Sequence, residues 1–144
     1  MAAVPTITCA MPPDPASDAA VTDGLRAHLR QAWGESRRVD VSWYLRDDDG
    51  RLVGGVIGHL AWDWLYLERV WIDASRRGRG HGAALMAAAE SWARQSGCAG
   101  LHLDTFGEEA LPFYQRLGFE VWGTLEGQPP GSRKHALRKP LSPR

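Results

Sequence analysis

Between residues 39 and 72 the chain reads as three strands. Val39, Val41, Trp43 and Leu45 alternate with polar neighbours, the period of two that turns one face of a strand toward a core. Asp47-Asp48-Asp49-Gly50 then supplies turn chemistry, and residues 51–60 return as a second strand. After the short link Ala61-Trp62-Asp63, the apolar run 64–72 stops at Asp73, completing a predicted antiparallel meander. The period lengthens to that of a helix over 81–96, where Leu85, Ala88, Ala89 and Trp92 share a face and Gly97 stands at the end. Residues 100–106 alternate again, and 108–117 read as a helix closed by Gly118. Residues 119–125 and 134–138 read as two closing strands across a Gly/Pro-rich link. Near the start, Ser17 or Asp18 caps a predicted helix that carries Ala19, Val21, Leu25, Leu29 and Ala32 as far as Gly34. Residues 1–16 are proline-rich and are expected to be poorly structured, or to form a short first strand at 6–10.

The strand, helix and strand between residues 64 and 106 are long enough for a right-handed parallel crossover. An α/β fold follows, with a mixed, mostly antiparallel sheet and flanking helices. The 144 residues, 15.9 kDa, are expected to form one domain over 1–144, and no internal repeat or linker divides them. With 44% hydrophobic and 24% charged residues, the chain has the composition of a folded core rather than of a disordered segment.

Charge narrows the list of partners. The formal net charge is zero, so no overall field gathers nucleic acid or an anionic membrane, although a local basic cluster can hold a small anion. Cys9 and Cys98 are too few for a disulfide framework or a four-ligand zinc site, and the five histidines form no pair at metal-ligand spacing. No metal is expected. The first residues lack a charged region followed by an apolar run, and no stretch reaches the roughly 18 to 20 apolar residues of a membrane span. A cytoplasmic location is the expectation.

The chemistry concentrates in Arg76-Arg77-Gly78-Arg79-Gly80-His81-Gly82, between the strand that ends at Ile72 and the helix that opens at His81. Glycines let backbone N–H groups converge on a ligand, and a helix N-terminus adds free donors and the positive end of a dipole. Arginines beside such a cradle add charge-assisted hydrogen bonds, which suit a pyrophosphate. There is no Gly-Lys-Ser/Thr sequence for a triphosphate with magnesium. The glycines also follow a late strand rather than opening a dinucleotide-binding unit.

Residues 67–73 (Leu-Glu-Arg-Val-Trp-Ile-Asp), the RRGRGHG segment and Ala83-Ala84-Leu85-Met86 together resemble the acetyl-coenzyme A motif of the GCN5-related N-acetyltransferase (GNAT) family. The pattern Arg/Gln-x-x-Gly-x-Gly/Ala falls on Arg77, Gly80 and Gly82. A second stretch, 110–119 (Ala-Leu-Pro-Phe-Tyr-Gln-Arg-Leu-Gly-Phe), is similar to the same family's motif ending in Tyr-x-x-x-Gly-Phe. The resemblance covers about residues 39–137. It implies the acyl-CoA N-acyltransferase fold, in which the strand through Val70, Trp71 and Ile72 splays from the strand through 101–105. The pantetheine arm of acetyl-CoA then pairs with main-chain groups near Val70 and Ile72 beside Phe113, and Arg77, Gly78, Arg79, Gly80, His81 and Gly82 receive the pyrophosphate. An N–H near Val70 would polarise the thioester carbonyl.

Transfer to an amine sets a further requirement. A lysine-like amine with a pKa near ~10.4 is protonated at neutral pH, and freeing its lone pair costs on the order of 4 to 5 kcal/mol. Glu68, just before the cofactor strand, is the first candidate to take that proton through water. Asp104, at the end of the facing strand, is the second. The resemblance places Tyr114 as the acid that protonates the leaving thiolate. An asparagine common in relatives is replaced by Gly107. Trp43, Trp62 and Trp64 are candidates for an aromatic wall facing a cationic acceptor. Arg133, Lys134, Arg138, Lys139 and Arg144 form a basic group near the end of the chain. The expected partner is an amine-bearing small molecule or peptide, with a homodimer possible. A non-catalytic coenzyme A sensor is the alternative in a different class.

Overall fold

The structure is a computed structural model and describes residues 3–141. Two compact units divide the chain after Ser36. The first holds helix α1 (Pro15–Trp33), capped by Asp14, whose carboxylate accepts from the Ser17 backbone N–H at 3.3 Å and is held below its ordinary pKa by Ser17. The cap therefore lies three residues ahead of Ser17, because Pro15 has the fixed φ of a first helical position and starts the turn earlier. Gly34 ends the helix at φ 80° with its N–H on the Arg30 carbonyl. None of the α1 residues is buried. Of the two expectations for residues 1–16, the short strand at 6–10 does not form, and Ile7 is almost fully exposed. Between prolines and without a pairing partner, an extended segment gains nothing over coil.

The second unit holds a six-stranded sheet: β1 (Val39–Arg46), β2 (Leu52–Ala61), β3 (Trp64–Ile72), β4 (Gly100–Phe106), β5 (Glu120–Glu126) and β6 (Arg133–Pro140), in spatial order β1-β2-β3-β4-β6-β5. Every pairing is antiparallel except β3 with β4, which are linked by helix α2 (His81–Gln95). The predicted mixed α/β architecture with one parallel pair is the observed one. In the first turn, Asp47 accepts from the backbone N–H groups of Asp49 and Arg51, each at 2.9 Å. The β2–β3 turn is tight, with both Trp62 (φ 43°) and Asp63 (φ 66°) in the left-handed region that matches strand twist.

The core lies between one face of the sheet and α2. Val56, Leu60, Leu65, Leu67, Leu101, Leu103 and Leu137 pack there with Leu85, Met86, Ala89 and Ala93. Burying each leucine contributes about 1.5–3 kcal/mol, which is what fixes the strand register. Ala88, expected on the inner face, points outward. Met86 and Ala93 take that role, because the buried stripe follows 3.6 residues per turn from Leu85 and Met86.

Helix α3 (Leu111–Arg116) is shorter than the predicted 108–117. Gly107 turns the chain at φ 75°, and Glu108 lies outside the helix, its carboxylate 2.9 Å from His135 Nε2. His135 is buried, and its other nitrogen lies 3.0 Å from Thr124 Oγ1. Its place in this network was not visible in the sequence. Among the described residues, no helix is long and apolar enough to cross a membrane.

Candidate active site

The parallel ladder between β3 and β4 has only four registered pairs, from Trp64 with Gly100 to Leu67 with Leu103. The cause of its ending lies one strand away. Across β2, Ile57 pairs with Arg69 and Gly58 with Leu67, which leaves Glu68 as the extra residue of a bulge. A bulge bends and twists its strand, so β3 leaves β4 at the next residue. Gly58 permits it, since a Cβ there would lie 2.5 Å from the Tyr66 carbonyl oxygen. The sequence showed Glu68 as one polar residue in an apolar run. Only the pairing reveals it as the hinge of the splay.

A cavity of about 570 Å³ opens at the separated ends. Of the residues expected to hold a cofactor, it is lined by Val70, Trp71, Ile72, Arg77, Gly78, Gly80, His81, Gly82 and Phe113, but not by Arg79. It also takes in Arg76, Ala83, Ala110, Arg116 and Leu117, which lie within the motif segments but were not among the expected cofactor contacts. Asp73 caps a short turn over Ala74–Arg76, its carboxylate accepting from the Ser75 N–H at 3.1 Å and held below its ordinary pKa by Ser75. Gly78 and Gly80 then lie at φ 75° and 81°, and Gly80 caps α2 from the left-handed region without a side-chain bond. The first N–H groups of α2 are therefore not taken up by a capping side chain. Arg77 donates from Nε to the Ile72 carbonyl at 3.1 Å, pinning the loop to the strand end, and Arg76 lies 3.7 Å from Asp47 of the β1–β2 turn.

Phe113 forms the apolar side. A Cβ on Gly82 would approach its Cζ to 3.1 Å, so the glycine lets α2 and α3 close on each other at the cavity. The donor set suits a diphosphate on an extended apolar arm. A strand edge at residues 70–72 and a phenyl ring would suit the arm, and helix-start amides with arginines would suit the anion.

Three residues predicted to carry the chemistry do not line this cavity. Tyr114 is buried, 5.0 Å from the Phe113 ring and 5.8 Å from the Phe119 ring, and burial pushes its hydroxyl pKa upward. Glu68 Oε1 lies 2.5 Å from His59 Nδ1. Asp104 accepts a 2.6 Å hydrogen bond from Tyr66, whose pKa is pushed up to about 12 by that bond first, then by burial and the charges of Asp104 and Glu68. His59, Tyr66, Glu68, His102 and Asp104 form one cluster: the His59 ring is 5.7 Å and the His102 ring 4.7 Å from that of Tyr66. Burial pushes the His102 pKa down, against the pull of Asp104 and with help from His59. The alternation of β3 and β4 puts this cluster on the face opposite Leu65, Leu67, Leu101 and Leu103.

The tryptophans do not make one wall. Trp43 packs edge-on against Trp92 of α2 at 5.9 Å, Trp62 sits in the β2–β3 turn, and only Trp64 joins the polar face, 6.0 Å from His102. Nor is the late basic group an open patch. Arg133 pairs with Glu108 and Glu126, Arg138 with Glu120 and Lys139 with Glu90, while Arg144 lies outside the described residues.

Residues 6–119 match the family described as Acetyltransferase (GNAT) family. A blasticidin-S acetyltransferase of Streptomyces morookaense is 40% identical over 81% of this chain and 88% of its own length. An acetyltransferase of Agrobacterium fabrum (strain C58 / ATCC 33970) is 38% identical over 78% of this chain and 82% of its own. A crystal structure from Agrobacterium tumefaciens, assigned as an acetyltransferase, superposes with a TM-score of 0.84 at 33% identity, covering 98% of this chain and 100% of that one.

Proposed function

The chain belongs to the acetyltransferase (GNAT) family and is an acetyl-CoA-dependent acetyltransferase; from that premise we propose that it acetylates a primary amine of a small molecule by direct attack while both substrates are bound. The observation that carries this reading is the bulge at Glu68. It parts β3 from β4 beside a cavity lined by the end of β3, the glycine loop, the start of α2 and α3, and leaves Glu68 and Asp104 on the face opposite the core leucines. In this reading, donor and acceptor approach the splay from opposite faces, which removes any need for a covalent acetyl-enzyme.

The residues divide the work. Arg77, Gly78, Gly80, His81 and Gly82 would hold the diphosphate, and the strand edge at Val70, Trp71 and Ile72 with Phe113 would hold the pantetheine arm. When bound, acetyl-CoA supplies the activated acyl group. Glu68 takes the ammonium proton, directly or through water, with His59 at 2.5 Å to share the charge. Asp104, which accepts a 2.6 Å hydrogen bond from Tyr66, is the second candidate for the base. Tyr114 is assigned as proton donor to the departing sulfur. Burial keeps its phenol protonated at neutral pH, which supports that direction of transfer. The blasticidin-S relative supports a small-molecule acceptor.

Two measurements test the proposal together. Calorimetry with acetyl-CoA, coenzyme A and ATP is expected to give binding of the two thioester-carrier forms and none of ATP. Thiol release in the presence of an amine panel is expected to exceed the amine-free rate. Tight acetyl-CoA binding with no amine-dependent release would leave a sensor instead of a transferase.

A further inference from the structure

The polar face of the sheet holds a second cavity, of about 240 Å³, lined by Trp64, His102, Trp122 and Arg138. It lies at the far end of the β3–β4 ladder from the bulge, where Trp64 pairs with Gly100. Its floor is fixed in place. A Cβ on Gly100 would lie 2.5 Å from the Trp64 ring, so the missing side chain is what lets the indole lie across β4. The edge-on contact of His102 with Trp64 (80° between planes) and its tilted contact with Tyr66 (39°) lock the next rings along the face. Trp122 from β5 lines the same cavity and is 57% exposed, so its ring face is open to a ligand.

We propose that this cavity is the acceptor's body subsite and that it takes a planar, uncharged aromatic or heteroaromatic ring joined to the reacting amine. This rests on the transferase reading above. Two indoles and an imidazole offer ring faces and edges, which attract flat π-systems beyond the area they bury. Burial biases His102 toward its neutral form. Glu120 holds the Arg138 guanidinium through Nε at 2.9 Å and offsets its charge. Arg138 is then a hydrogen-bond donor and a flat stacking surface rather than an anion trap, so a neutral ring is favoured over a phosphate or a carboxylate. At the other end, Glu68 and Asp104 supply negative charge for the ammonium. Trp64, Tyr66 and Glu68 follow one another along β3, and the four-residue step from Trp64 to Glu68 spans about 13 Å. That is the separation required between ring and amine.

The test is a series of indol-3-yl-alkylamines of increasing chain length against straight-chain monoamines of matched length, assayed for acetyl-CoA-dependent thiol release. The expected result is a KM about tenfold lower for the indolyl amines, with the largest advantage for members whose chain reaches about 13 Å. Trp122→Ala should collapse the ratio of alkyl to indolyl KM toward one. A general structural defect would raise both and leave the ratio intact. Equal KM values for the two series, or a ratio unmoved by Trp122→Ala, would overturn the ring subsite while leaving acetyl transfer standing. If no amine in either series releases thiol, neither series contains an acceptor. The subsite is then judged alone by indole N–H shifts of Trp64 and Trp122 on adding tryptamine: shifts at both support it, and none at either overturns it.

Discussion

At the scale of single residues, Glu68 does two jobs that pull against each other. As the extra residue of a bulge it has no partner across β2, and as a carboxylate 2.5 Å from His59 it is positioned for proton transfer. Glu68→Gln keeps the shape and removes the base, so kcat should fall about 100-fold with little change in the KM for acetyl-CoA, measured by steady-state thiol release. Tyr114→Phe removes only a hydroxyl. A loss of about tenfold or more in kcat, together with loss of the alkaline limb of the pH profile, is expected of a proton donor. An unchanged profile would reduce Tyr114 to its packing against Phe113 and Phe119. Gly58 shows how a residue with no chemistry decides the site. Gly58→Ala forces a Cβ to within 2.5 Å of the Tyr66 carbonyl, and a stability loss of about 1–3 kcal/mol is expected in a urea melt, with catalysis impaired in the fraction that folds.

At the scale of elements, the glycine turn and the start of α2 form one device. Its conformation was legible from composition, since left-handed residues at 78 and 80 are where only glycine is at ease. Its fit to α3 was not, because the approach of Phe113 to Gly82 depends on two segments about thirty residues apart. Gly82→Val should crowd Phe113 and narrow the cavity. The KM for acetyl-CoA is expected to rise about tenfold with kcat for the amine less affected, and calorimetry should give the same loss in affinity. The strands were legible to within a residue or two because alternation is a local property. Helix α3 was overread by about a turn, since Glu108 leaves the helical run for a bond to His135 that no local pattern announces.

At the scale of the whole sheet-containing unit, the helix layer is tied to the sheet by more than apolar contact. Glu90 of α2 lies 2.8 Å from Lys139 Nζ of β6 and 3.1 Å from Arg94. Burial alone would raise the Glu90 pKa, but the two cations outweigh it and hold it below its ordinary value of 4.5. A carboxylate depressed on folding contributes stability that is complete above the unfolded value and disappears as the pH falls through the folded one. Glu90→Gln should therefore cost about 1 kcal/mol at pH 7, read as a lower Tm, and the gap to the parent should close as the pH drops below 4.5.

By itself the sequence determined the element order, the parallel crossover and the glycine turn ahead of α2, because hydrophobic period, glycine φ and helix-end donors are set by neighbours in the chain. Only the tertiary structure decided where β3 leaves β4 and which face Glu68, Asp104 and Trp64 share. It also decided that Trp43 packs against the core and that Arg133, Arg138 and Lys139 are already paired. Those outcomes depend on register between strands, and register is fixed by the sum of packing against distant residues, which no local pattern contains.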